Sequence, residues 1–252
     1  MSAPIALQLY SIREPLSRDF EASVREIARM GYVGVEPAGF PGTPPEAAGQ
    51  LFEELGLAVP GAHTQLPLGE YKNEVIDAMK AIGCQRIISG KGPDDFATMD
   101  LIKRTCDIFN EASAVAAQHG MLFGIHNHWW EFEQIDGRYV FEVMLDLLEP
   151  DIFFEVDTYW VQSAGADPAN VVKQLGQRAP FLHIKDGPCT RNEPMTAVGD
   201  GVMDIAGIVS AAGGITQWMI VELDRCATDM MEAVERSYTY LTENGLAAGR
   251  SG

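Results

Sequence analysis

Short apolar, β-branched runs alternate along the chain with longer stretches whose apolar residues recur every three to four positions. That alternation predicts repeated βα units around a parallel sheet. The candidate strands are 5–10 (IALQLY), 32–36 (YVGVE), 57–63 (LAVPGAH), 85–89 (QRIIS), 121–127 (MLFGIHN), 152–157 (IFFEVD), 180–184 (PFLHI) and 217–223 (QWMIVEL). Between them, one helical face carries Phe20, Val24, Ile27 and Ala28, and another carries Met99, Ile102, Cys106, Phe109, Ala112 and Ala116. Two more sets follow the same period: Phe141, Met144, Leu145 and Leu148, then Met231, Val234, Tyr238 and Leu241. Gly31, Gly56, Gly83 and Gly120 each stand after a periodic run and before a strand, where a helix end needs a left-handed residue. Eight strands in 252 residues, joined by short αβ turns, close into a barrel more readily than they form an open doubly wound sheet. The expected fold is therefore α/β, a single (β/α)8 TIM barrel domain over residues 1–252, with a Gly/Ser/Ala tail at 245–252 expected to fray.

The longest segment without a pattern is 186–202 (DGPCTRNEPMTAVGDGV), directly after the seventh strand. A long βα loop at that end of a barrel is expected to cover or line the site.

Charge narrows the choice of partner. With 18 basic and 36 acidic residues the net is 18 − 36 = −18, a surface that repels nucleic-acid phosphates and anionic lipid headgroups. Cys84, Cys106, Cys189 and Cys226 form no CxxC pair, so reduced thiols are expected rather than a zinc knuckle or a disulfide framework. No basic start leads into an apolar signal core and no run of 18 apolar residues occurs, so a cytoplasmic protein is expected. Homo-oligomerisation is compatible with all of this.

Chemistry gathers at the C-terminal ends of the strands, the catalytic end of such a barrel. In order these ends offer Gln8 and Tyr10, Glu36, His63, Ser89 and Lys91, His126 and His128, Asp157, His183 and Lys185, and Glu222 and Asp224. Because side chains alternate faces, His126 and His128, Glu155 and Asp157, His183 and Lys185, and Glu222 and Asp224 each share a face. Burying imidazole, ammonium and carboxylate together gains nothing unless they neutralise one another or bind an ion. Mixed His and carboxylate donors suit one Mn²⁺, Co²⁺, Mg²⁺ or Zn²⁺ ion.

The stretches LQLYSIRE (7–14), VGVEP (33–37), GIHNHWWEF (124–132), EVDTYWVQSAGADP (155–168), FLHIKDGP (181–188), VGDGVMD (198–204) and IVELD (220–224) resemble the xylose-isomerase-like TIM-barrel superfamily. More narrowly they resemble bacterial sugar phosphate isomerase/epimerases, in a branch with an HNH triplet. The resemblance implies four metal ligands from strands five to eight, usually Glu, Asp, His and Glu. The last three fall on Asp157, His183 and Glu222, whereas the first position carries His126. In ketose 3-epimerases of this superfamily the two ligating glutamates serve as acid and base on opposite faces of the substrate, and only Glu222 of that pair is present here.

The expected activity is isomerisation or epimerisation of a small sugar or keto-sugar. Glu222 or Lys185 would remove a proton next to a metal-polarised carbonyl and give an enediolate. The alternative is a metal-dependent β-eliminating lyase or dehydratase. Glu36 and His63 are expected at the rim, with His128 and Glu131 at the substrate and Trp160, beside Trp129 and Trp130, as part of an apolar wall. Lys185 is expected to contact a substrate oxygen, or to pair with Asp186 or Glu222. No phosphate clamp stands out, which points to a non-phosphorylated substrate, and no more basic residues than Lys185, Lys91 and Arg225 are expected around the mouth. An abasic-site endonuclease on the same barrel would need a basic face and more than five histidines. A non-catalytic sugar-binding subunit would need no metal.

Overall fold

The computed structural model describes residues 2–250. Apart from a small antiparallel hairpin (Gln134–Ile135 with Arg138–Tyr139), its barrel strands are β1 (Ile5–Gln8), β2 (Gly34–Glu36), β3 (Ala62–His63), β4 (Arg86–Ser89), β5 (Leu122–His126), β6 (Phe153–Asp157), β7 (Phe181–Ile184) and β8 (Trp218–Val221). All are parallel, hydrogen-bonded in the order β2-β1-β8-β7-β6-β5-β4-β3. The two ends of that order meet: Val35 N–H donates to the Ala58 carbonyl at 2.9 Å and His63 N–H to the Pro37 carbonyl at 2.8 Å. The sheet thus closes into the (β/α)8 TIM barrel that the alternation predicts.

Each strand is shorter than its apolar run. In 57–63 only Ala62 and His63 join the regular ladder, and Pro60 among the residues before them has no N–H to give. In 5–10 the run leaves the sheet at Leu9, where the Gln8 side chain accepts the Tyr10 N–H and starts a 3-10 turn.

The helices follow their periodicity. Phe20–Met30 is capped by Asp19, which accepts the Ala22 N–H at 2.9 Å, and ends on Gly31 at φ 105°. Met99–Gln118 is capped by Thr98, and Met230–Glu243 by Asp229. These caps satisfy N–H groups that the first turn leaves free. None of the helices among the described residues is long and apolar enough to cross a membrane.

Residues 245–250 do not fray. Ala248 exchanges hydrogen bonds with the N-terminal strand region (Ile5 N–H to Ala248 O, 3.0 Å; Ala248 N–H to Ala3 O, 2.8 Å), and Arg250 N–H donates to Gly31 O at 2.9 Å. Backbone pairing holds a tail whose composition suggests disorder; residues 251–252 lie outside the described part.

The 186–202 loop is tied down by one side chain. Buried Asp186 accepts four backbone N–H groups, those of Gly187 (2.8 Å), Gly199 (2.9 Å), Gly201 (3.1 Å) and Met203 (3.1 Å). Gly201 is required for this, since a Cβ there would stand 2.0 Å from Asp186 Oδ1. The loop is a fixed wall beside β7, and Asp186 serves it rather than Lys185.

Candidate active site

The barrel interior is built in tiers, two residues apart on each strand. The floor is apolar: Ala6, Ile88, Phe153, Phe181 and Ile220 form one cluster. Gly124 makes room for it, because a Cβ there would lie 2.2 Å from the Phe153 ring. Two residues onward the same strands supply Gln8, Glu155, His183 and Glu222, and two further Asp157, Lys185 and Asp224. Parallel register sets Asp157 opposite His183 and Glu155 opposite Phe181.

In the deeper tier His63 Nε2 lies 2.5 Å from Glu155 Oε2 and 3.3 Å from Glu36 Oε1, and His183 Nε2 lies 2.8 Å from Glu36 Oε1 and 3.1 Å from Glu155 Oε2. Gln8 Nε2 donates to Glu36 Oε1 at 2.7 Å. The His63 and His183 rings stack with centroids 5.5 Å apart, bridged by the two carboxylates. Burial opposes charge on His63, but Glu155 and Glu36 outweigh it and lift the ring to about 10. Burial would likewise raise Glu155, yet His183 and His63 hold it well below the usual carboxylate range. The tier is a set of imidazolium–carboxylate pairs.

Towards the mouth the balance changes. His183 Nδ1 turns up to Glu222 Oε2 at 2.9 Å. His126 Nε2 stands 3.4 Å from Asp157 Oδ2 and 3.9 Å from Glu222 Oε2 and has no hydrogen-bond partner. Burial and the neighbouring rings of His183 and His63 push His126 well below its ordinary value, so it is neutral with a free lone pair. Asp157 is fixed from behind: Asn127 accepts its N–H at 3.0 Å and donates to its carbonyl at 3.2 Å, while Oδ1 accepts the Trp160 N–H at 2.9 Å. Asp157 Oδ2 has the Lys185 ammonium at 2.8 Å but no well-aligned hydrogen bond. Donor atoms of His126, Asp157, His183 and Glu222 all lie within 4.8 Å of one another, an arrangement that can hold a metal ion; Glu36, His63, Glu155 and His183 form a second such group.

Lys185 is fully buried among three carboxylates, with Nζ 2.8 Å from Asp157, 2.6 Å from Glu222 and 2.7 Å from Asp224. Burial works against its charge, but Asp157, Glu222 and Asp224 hold it as an ammonium well above the usual lysine range. Burial would raise Glu222 too, and Lys185 and His183 bring it well below instead.

A cavity of about 250 Å³ opens above these groups, lined by Tyr10, Ala38, His63, Ser89, Gly90, His126, His128, Glu222 and Asp224. A second of about 420 Å³ shares His63, Ser89, Gly90 and His128 with it and adds Lys91 and Trp130. Together they form one cleft sized for a small polar molecule.

Several side chains lie deeper than the sequence suggests. Glu36 is not at the rim: it is fully buried in the deeper tier, under His63 and His183. Glu131 is buried at 2% exposure and accepts the His128 N–H at 2.8 Å, with burial lifting its carboxyl to about 8. Trp160 is buried and packs its ring 5.3 Å from Lys185 Nζ, whereas Trp130 lines the second cavity and its ring stacks on His128 at 4.2 Å. His63 and His128 do reach the cleft. Lys91 stands on the wall of the cleft as expected, while Arg13, Arg18 and Arg225 line a separate cavity of about 400 Å³ together with Glu14 and Asp229, where the Asp224 carbonyl accepts from Arg13. Glu155 and Asn127 carried no assignment, although the shared parity of Glu155 with Asp157 places it one step below a candidate ligand.

Residues 24–243 match the model of a family described as xylose isomerase-like TIM barrel. A sugar phosphate isomerase/epimerase from Parabacteroides distasonis ATCC 8503 is 25% identical, covering 98% of this chain and 96% of its own with a TM-score of 0.83. A second from the same organism is 24% identical, covering 98% and 100%, with a TM-score of 0.86. The IOLI protein, solved with a binding zinc atom, is 14% identical over 96% of this chain and 98% of its own, with a TM-score of 0.71. No curated protein sequence gives a significant match.

Proposed function

Because this chain belongs to the xylose isomerase-like TIM-barrel family, we propose that it is a divalent-metal-dependent isomerase or epimerase of a sugar or keto-sugar. His126, Asp157, His183 and Glu222 hold one ion. The observation that carries this reading is the buried His126 Nε2, which has no hydrogen-bond partner, lying within 4.8 Å of donor atoms of Asp157, His183 and Glu222. Two imidazoles and two carboxylates suit Mn²⁺, Co²⁺, Mg²⁺ or Zn²⁺. The zinc atom of the IOLI protein supports the choice of a metal. When bound, the ion supplies Lewis-acid polarisation of a substrate carbonyl.

The chain's own groups do the rest. Glu222 lines the cavity and takes the proton from the carbon next to the carbonyl. Lys185 stays an ammonium while three carboxylates hold it, so it does not act as the base. Ser89 and His128 bond substrate hydroxyls along the cleft. Return of the proton to the adjacent carbon, with the hydroxyl proton passing from one oxygen of the enediolate to the other, completes isomerisation.

One observation favours a second reading. The position facing Glu222 carries neutral His126, and Glu131 is buried against the His128 backbone, so the cleft has no second glutamate opposite the first. The HNH triplet then marks a branch that works from one face, and loss of a β-oxygen after proton removal would make it a lyase. We read the whole chain as one working domain, cytoplasmic, with neither nucleic acid nor membrane as partner, since its net charge of −18 repels both. Lys91 is the basic side chain on the wall of the cleft, which favours a non-phosphorylated substrate, and phosphorylated and free sugars both belong in the test.

The test is incubation of the Mn²⁺-loaded protein with keto-sugars and their phosphate esters in D₂O. Metal-dependent incorporation of one deuteron on one face, with isomerised or eliminated product, is expected. Absence of metal-dependent exchange overturns the proposal. Efficient inversion at a stereocentre, with a second residue required besides Glu222, overturns the one-face mechanism.

A further inference from the structure

The geometry points to Lys185 as a built-in stand-in for the divalent ion: its ammonium competes with the metal for Asp157 and Glu222, and Asp224 is the seat to which it withdraws. This rests on the metal site proposed above and assigns the lysine and Asp224 a part in loading it.

Three facts carry the inference. Lys185 is fully buried, and its Nζ touches the carboxylates of both Asp157 (2.8 Å) and Glu222 (2.6 Å), two of the four candidate ligands. Its third partner, Asp224 at 2.7 Å, lies outside the ligand set, two residues beyond Glu222 on the same strand face, with its side chain 32% exposed to the cavity. Finally, His126 Nε2, a candidate ligand, lies 3.4 Å from Asp157 Oδ2 and 3.9 Å from Glu222 Oε2 and offers the ion a buried nitrogen. It stands unpartnered beside the carboxylates that the lysine occupies.

An ammonium and a divalent ion cannot share the same carboxylate oxygens without strong repulsion at a few ångströms. The four-carbon lysine stem is flexible, so the charge can leave without moving the strand. Asp224 keeps it from being stranded. In the metal-free protein Lys185 therefore neutralises carboxylates that would otherwise repel one another. On loading it moves to Asp224, at the cavity wall, where a substrate oxygen is within its reach. Loading and placement of the donor are then one event. A purely structural lysine would keep its three contacts whether or not metal is present.

The test is calorimetric titration of the EDTA-treated protein with Mn²⁺, for the wild type, Lys185→Met, Asp224→Asn and the double variant. Lys185→Met is expected to bind Mn²⁺ at least about tenfold tighter, because the competing charge is gone. Asp224→Asn is expected to weaken binding several-fold in the wild type and to have little effect when Lys185 is absent, a coupling that the double-mutant cycle isolates. Lys185→Met should also gain more thermal stability from Mn²⁺ than the wild type does. If Lys185→Met does not fold without metal, refolding in Mn²⁺ and competition with a chelator gives the same affinity.

Equal or weaker binding by folded Lys185→Met, or the same Asp224→Asn effect in both backgrounds, overturns the stand-in role and leaves the metal site intact. If no variant binds Mn²⁺, the metal site itself is wrong and this inference falls with it.

Discussion

Two adjoining tiers of the barrel interior hold almost the same residue types, each with two imidazoles and two carboxylates, and they share His183. In the deeper tier each imidazole lies between two carboxylates at 2.5–3.3 Å, and charges cancel inside the cluster. In the upper tier His126 stays neutral with a free nitrogen, and the neutralising charge comes from outside the set, as Lys185. Composition and spacing alone do not separate the two. What separates them is whether a ring nitrogen is left over: the Nε2 atoms of His63 and His183 lie against carboxylates in the deeper tier, whereas His126 Nε2 in the upper tier has no hydrogen-bond partner and is free for a metal.

The sharpest way to break this comparison is to remove a carboxylate from each tier. In the upper tier Glu222→Gln should lower turnover on a keto-sugar about 10²–10⁴-fold, the usual worth of a general base, and weaken Mn²⁺ binding. Its thermal midpoint should change little, because Lys185 keeps Asp157 and Asp224. Kinetics with metal titration and a melting curve check both halves. A fully active Glu222→Gln would remove the upper tier from the chemistry.

In the deeper tier the expected effects are reversed. Glu155→Gln leaves His63 and His183 with one shared carboxylate in a buried place, a loss of about 3–5 kcal/mol for a broken buried pair. Chemical denaturation should show that drop. Metal affinity should fall only about 10–100-fold through the poorer orientation of His183. A stable Glu155→Gln protein that no longer binds metal at all would place the ion in the deeper tier.

How much of this contrast is legible without coordinates depends on direction and depth. Alternation of side chains on IFFEVD, FLHIKD and MIVELD put Asp157, Lys185 and Asp224 on one face and above Glu155, His183 and Glu222, and the tiers follow that spacing. Depth does not follow from one strand alone. Glu36 ends a strand like the others, but β2 meets β1 with Glu36 beside Gln8, below the rim. Glu131 and Trp160 follow their strands closely in sequence, yet the turns after Asn127 and Asp157 fold them back under the mouth. The partners of Lys185 are half legible: Glu222 is a named partner in the sequence reading, whereas Asp157 and Asp224, level with Lys185 by spacing, reach it only because β6, β7 and β8 are neighbours. The order of the tail at 245–250 is not legible in the sequence, because its small residues carry no pattern and main-chain hydrogen bonds need none.

A residue outside both tiers provides a control. In Asp186→Asn one carboxylate oxygen becomes an amide N–H₂ facing two backbone donors of the 187–203 loop, which leaves those donors unpaired. The cost should be about 1–3 kcal/mol with Mn²⁺ affinity unchanged. Hydrogen exchange localised to Gly199, Gly201 and Met203 would show it. Lost metal binding in this variant would mean that the loop, and not only the strand ends, shapes the upper tier.

The smallest effect expected is the part of the pH slope that His63 in the deeper tier contributes. His63 is raised to about 10 in the folded protein, against an ordinary value near 6.5, because Glu155 and Glu36 outweigh its burial. Between about pH 6.5 and 10 the folded chain therefore holds a proton that the unfolded chain has released, and stability falls as pH rises. The contribution is complete below the unfolded value and is lost as pH passes the folded one. A single such proton gives a slope of at most about 1.4 kcal/mol per pH unit. Since the His63 side chain is 23% exposed, the measured slope should be smaller than this limit. Urea unfolding of the metal-free protein at several pH values in this window measures it, and His63→Gln should flatten it. Upper-tier His126 is held neutral in the fold, so His126→Gln should leave the slope in this window unchanged. If His126→Gln flattens it and His63→Gln does not, the proton sits in the upper tier and the assignment of the two tiers is reversed.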